Sequence, residues 1–200
     1  MYICPYETSW LLSQRYRSAA PMRISKAELD LKNVMRKLWE QHMLWTRLTI
    51  TSIIKDLPDV DLVTNRLLRN PIDFKKALKP FYGDEIASKF SVLLTSHLVI
   101  AAELVKAAKA GYNKEAADAE KRWYANADEI AAFLSRINPY WSQEDWRTML
   151  YEHLKMTKSE AVNILSNNYA ESIAEYDEIE NQGLKMADVM AEGIVKQFLY

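Results

Sequence analysis

Apolar residues recur every three or four positions along most of this chain and almost nowhere alternate. Leu31, Met35, Leu38, His42, Trp45, Thr49 and Ile53 fall within about 60° of His42 on a helical projection. Ser25 with Glu28 makes a capping box before them, and Leu57-Pro58 stops the pattern after them, which predicts a long helix over 25–57. A second stripe, Ile86, Phe90, Leu93, His97, Ala101, Leu104 and Ala108, predicts a helix over 84–110 that Gly111 ends. A third, Ala116, Trp123, Ala127, Ile130, Leu134 and Ile137, predicts 114–137, and the short turn makes it the antiparallel neighbour of the second. A fourth runs through Val162, Leu165, Tyr169, Ile173, Tyr176, Glu180, Ala187, Met190, Ile194 and Phe198. Thr157 with Glu160 reads as its capping box, so the helix is placed over 158–199.

Shorter pieces lie between these. Helices are predicted over 61–69, over 71–79 with Pro71 at its favoured first position, and over 142–156 behind the cap Ser142. No period-two run marks a strand and no repeat marks a solenoid. The reading is an all-α protein: a four-helix bundle with short cap helices. Residues 1–24 break the pattern and are expected to form a flexible arm or a non-native extension, with one helical-bundle domain over 25–200.

Composition adds limits to this picture. In 200 residues, 49% hydrophobic, there are 4 glycines, 6 prolines and one cysteine, Cys4. No internal disulfide is possible, which suits a reducing cytoplasm. Charge balances to -1, so no global field favours nucleic acid or an anionic membrane. No unbroken apolar run of about 20 residues suggests a membrane span. Glycine-rich phosphate loops, nucleophile elbows and Cys–His pairs are missing.

Chemistry is hinted at by the three histidines, His42, His97 and His153, each on the apolar face of a different predicted helix. A core-facing imidazole needs a hydrogen bond, a carboxylate, a metal or a cofactor. Counting equal rises either side of Gly111 sets His97 level with 123–126, and Glu180 lies near the middle of its helix. His42, His97 and Glu180, with Glu120 or Asn126, are therefore the expected metal layer, and Tyr169, Tyr176 and Asn126 the expected supporting contacts. The ion expected is a divalent Zn, Fe or Mn. His153, on a helix read as short, is expected to fall outside that layer.

The stretches LWEQHMLWTRLTI (38–50), LLRNPIDFKKALKPFYG (67–83), LLTSHLVIAAELVKAAKAG (93–111) and RWYANADEIAAFLSRINPYW (122–141) resemble a small, uncharacterised all-helical bacterial family over about 26–198. Members of it sometimes carry the label acetylglutamate kinase. That label implies a large α/β sandwich with glycine-rich loops, which four glycines and no strands cannot build. The bundle shape is also similar to DinB-like and haemerythrin-like metal proteins. Their paired histidine motif has no counterpart here, so no ligand is carried over.

The expected function is thus an interior metal or small-ligand site in a cytoplasmic bundle. The alternative is a non-catalytic scaffold, a homodimer joined through exposed aromatics of the last helices and Phe198-Leu199-Tyr200. An enzyme of DinB-like thiol-transfer type is a third reading without a supporting ligand motif.

Overall fold

A computed structural model describes residues 24–199. Among these there are six helices and no strands: α1 Lys26–Ile54, α2 Val60–Leu68, α3 Asn70–Lys109, α4 Asn113–Ile137, α5 Gln143–Leu165 and α6 Tyr169–Phe198. The all-α bundle expected from the periodicity is the observed architecture. The arm expected over 1–24 and Cys4 lie outside the described residues, Ile24 excepted.

Local signals act where the sequence places them. Ser25 Oγ accepts from Glu28 N at 3.1 Å and Ser142 Oγ from Asp145 N at 3.2 Å, each satisfying a first-turn donor. Gly111 closes α3 at φ 74°, and Gly83 breaks it internally at φ 77°. A β-carbon would be strained at either position. The Gly83 break divides α3 into the two helical pieces that the sequence predicted on either side of it.

The main difference lies at residue 157. The helix expected over 142–156 continues unbroken to Leu165, and the helix expected over 158–199 begins at Tyr169. The chain turns at Asn167, in the left-handed region at φ 62°. Trp146, Met149, Leu150, His153, Leu154, Thr157, Glu160 and Ile164 form one continuous buried stripe on α5. Thr157 and Glu160 are therefore buried members of that stripe, not a cap. A fifth long helix results: α1, α3, α4, α5 and α6 close a ring, each touching the next, with α2 outside between α1 and α3.

The ring encloses a core of Met35, Met43, Phe74, Phe90, Leu134, Trp141, Trp146, Leu154, Met186 and Met190. Burying side chains of this size stabilises by about 1.5–3 kcal/mol each before chain entropy is subtracted. A smaller cluster of Ile50, Ile53, Ile54, Val105 and Ile164 closes one end. One 18-residue window within Val60–Lys109 has mean hydropathy 1.5, apolar and long enough to cross a membrane, and 44% of it is buried in the bundle.

Two glycines set helix spacing. A Cβ at Gly183 would stand 2.6 Å from Met43 Cε, and one at Gly193 would stand 1.9 Å from Trp141 Nε1. The missing side chains let α1 seat Met43 on α6, and let Trp141 lie on the last turns of the same helix.

Candidate functional site

His42 of α1, His97 of α3 and His153 of α5 meet at the centre of the ring. Their ring centroids are 6.4 Å apart for His42–His97, 5.8 Å for His42–His153 and 6.3 Å for His97–His153. All three are buried. With Trp39, Phe90, Leu94, Ile130, Leu134, Trp146 and Leu150 they line a cavity of about 10 Å³, room for a single water-sized occupant. Trp123 stacks obliquely on His97 at 5.4 Å, and Trp39 lies edge-on to His42 at 5.7 Å.

Each imidazole has a carboxamide beside it from a different helix. His42 Nδ1 is 3.3 Å from Asn70 Oδ1, and Asn70 Nδ2 donates to Leu38 O at 2.9 Å. His97 Nδ1 is 3.0 Å from Asn126 Oδ1, and Asn126 Nδ2 donates to Leu93 O at 3.2 Å. Gln182 Nε2 donates to Met149 O at 2.6 Å, which leaves its Oε1 and His153 Nδ1 as the unpartnered third pair. The three carbonyls share a register, each four residues before its histidine.

This arrangement fixes proton positions. A backbone carbonyl can only accept, so each amide nitrogen must face the carbonyl and each amide oxygen must face the ring. At His42 and His97 the ring nitrogen facing that oxygen must then donate. Both rings are Nδ1–H tautomers with a lone pair on Nε2, and no hydrogen bond reaches any of the three Nε2 atoms. Burial holds the rings neutral. It lowers His42 to about 4, with Asn70 pulling the other way. It lowers His97 to about 3, helped by His42 and opposed by Asn126. His153 falls well below its ordinary value through burial and then through repulsion from His42 and His97. Neutral imidazole with a free Nε2 and an anchored Nδ1–H is the form in which histidine ligates metals.

The acids expected in this layer are elsewhere. Glu180 is half-buried on the flank of α6. The helix is turned so that Gly183, Ile179 and Gln182 face inward, because Met43 needs the space above Gly183. Glu120 pairs with Lys158 at 2.6 Å near the surface. Tyr169 is exposed under Lys55, and Tyr176 lies half-buried 5.0 Å below the Arg47 guanidinium. Only His42, His97 and Asn126 of the expected set come together. His153, Asn70 and Gln182 complete the group. His153 sat on the same stripe as Trp146 and Leu150, and reading α5 as ending at 156 removed it from consideration.

A second polar centre escaped the sequence reading. Arg47 Nη1 donates to the Glu160 carboxylate, to Ser172 O at 3.0 Å and to Ser172 Oγ at 3.1 Å. Burial pushes Glu160 up to about 7, with Arg47 pulling it down and Glu175 pushing it further up. Tyr176, below the same guanidinium, is raised to about 12 by burial and by Glu180 and Glu160, with Arg47 pulling the other way.

Among the described residues no group of three or more His, Cys, Asp or Glu side chains stands ready to hold a metal ion. The histidine centre is slightly wide. Its ring centres lie about 3.6 Å from their midpoint, whereas a zinc–imidazole bond of about 2.0–2.1 Å sets a ring centre roughly 3.2 Å from the ion. Comparison with known protein families, curated proteins and solved structures gives no match for this chain.

Proposed function

We propose that the bundle interior binds one divalent transition-metal ion through Nε2 of His42, His97 and His153. The observation that carries this is the carboxamide beside each ring, tied to a backbone carbonyl in the same register. A merely structural core histidine needs one partner. Three rings with Nε2 atoms free of hydrogen bonds around a water-sized cavity form a donor set lacking its acceptor. Ligation requires the three Nε2 atoms to turn toward the cavity and the ring centres to close inward by a few tenths of an ångström. Imidazole donors without thiolate or carboxylate suit Zn, Cu, Fe or Ni over Mg or Ca. Such an ion could act as a Lewis acid, or hold the helices together; the former expectation of Glu180 as a ligand is replaced by His153.

The test is metal content of tag-free protein after exposure to Zn(II), Mn(II), Fe(II) and Cu(II) and removal of loose ion. One equivalent retained by the parent, lost in His153→Ala and kept in Glu180→Ala, supports the site. Folded parent that retains none of the four overturns it.

A second reading has its own observation. Val162, Leu165, Tyr169 and Ile173 are exposed beside the α5–α6 turn, an apolar surface of the kind that joins protein copies. Sedimentation of the parent against Ile173→Lys tests self-association there.

A further inference from the structure

The three imidazole centres form a nearly equilateral triangle, with sides of 6.4, 5.8 and 6.3 Å. Rings so spaced suit an ion lying between them in one plane. A tetrahedral ion sits off that plane and draws the ring centres in to about 3.0 Å from its axis, against about 3.2 Å for an ion in the plane. At about 3.6 Å the triangle is wider than either, so the planar arrangement asks for the smaller movement. Room decides the same way. The cavity of about 10 Å³ holds one water-sized occupant, and an ion there leaves no space for a bound water beside it. The remaining wall includes Leu94, Ile130, Leu134, Leu150, Trp39 and Trp146. Carbon has no lone pair to offer, and an indole nitrogen only donates. No acid lines the cavity.

We infer that the ion this centre keeps is copper, and that it keeps it reduced, as Cu(I). The inference rests on the three-histidine site proposed above and narrows its ion. Cu(I) is a closed-shell monocation that is stable with three ligands, whereas zinc completes four. Three imidazoles bring no negative charge to the ion. The cost of taking an ion out of water grows as the square of its charge, so a dication costs about four times what a monocation costs in the same apolar shell. Imidazole is among the donors that hold copper. Cu(II) arriving from solution takes one electron from ascorbate or a thiol, which is oxidised. The Cu(I) formed stays on the same three Nε2 atoms while its remaining waters leave. Zn(II) and Cu(II) occupy the centre as well, but more weakly.

The test uses the full chain carrying Cys4→Ser, so that its single thiol takes no copper. Cu(I), kept reduced by ascorbate in the absence of oxygen, is competed against bicinchoninate. Cu(II) and Zn(II), without reductant, are competed against nitrilotriacetate. The folded chain should hold one Cu(I) about tenfold or more tighter than Cu(II) or Zn(II), and His153→Ala should lose it. X-ray absorption of the Cu(I) form should show three nitrogen neighbours and no sulfur. A smaller preference for Cu(I), a fourth neighbour on the copper, or Cu(I) retained in His153→Ala overturns this inference. If Zn(II) or Cu(II) is still held by the parent and lost in His153→Ala, the histidine site itself stands. A folded chain that retains none of these ions overturns both.

Discussion

Helix α1 carries two buried polar centres that solve the same problem in opposite ways. At His42 the ionisable groups are neutral, and the cost of burial is met by carboxamides tied to backbone carbonyls. At Arg47, five residues on, a charge is kept and met by Glu160 and two Ser172 oxygens. No hydrogen bond reaches the Nε2 atoms of the histidine centre, whereas Arg47 Nη1 meets three oxygens and the guanidinium lies over the Tyr176 ring. We propose that the first receives a cation. The second already contains one.

Removing a partner should separate the two most sharply. Arg47→Ala leaves Glu160 buried without its cation and should cost about 3–5 kcal/mol in urea unfolding, while the apolar pair Arg47→Met with Glu160→Leu recovers most of the loss. Equal losses in the single and double variants would show that the pair contributes through packing.

Acid should act on the centres with opposite signs. His42 and His97 are lowered in the folded state, so the unfolded chain takes up their protons first as pH falls below 6.5. Each costs roughly 3 kcal/mol of stability by pH 4. Glu160 is raised, so its penalty grows as pH rises from 4.5 through about 7, and acid relieves it by roughly as much as one histidine costs. Net stability should fall between pH 6.5 and 4, and fall more steeply in Glu160→Gln. A flat profile in the parent would mean that the rings are not held neutral.

The smallest expected effect is Asn126→Ala, which orphans the His97 Nδ1–H and should cost about 1–3 kcal/mol. If the centre binds metal, the same variant should also weaken metal retention about tenfold or more, a readout that a packing role would not move.

The sequence made most of the fold legible because helix periodicity, caps and Pro/Gly breaks are local. Ser25, Ser142 and Gly111 act where they were read. The error at Thr157 and Glu160 came from a motif with two meanings. Ser/Thr-x-x-Glu caps a helix when solvent is near, and lies in a buried stripe when a cation such as Arg47 reaches it from another helix. Glu180 failed for a related reason. Its face was chosen by the apolar count along α6, while the helix's rotation was set by Met43 over Gly183, a contact 140 residues away in sequence. His97 and Asn126 were found at one level because the Gly111 turn fixes the register between α3 and α4. Gln182 and Asn70 were not, because a carboxamide that faces a histidine looks in sequence like any other polar residue.

The central claim is that three neutral imidazoles present Nε2 to a common interior point. Long-range 1H–15N spectra of the histidine side chains test it directly. The account predicts Nδ1–H tautomers at neutral pH for all three rings, and a shift of all three Nε2 signals together on adding one equivalent of Zn(II). Nε2–H tautomers, or rings that do not respond to Zn(II) or to any other divalent transition metal, would contradict it.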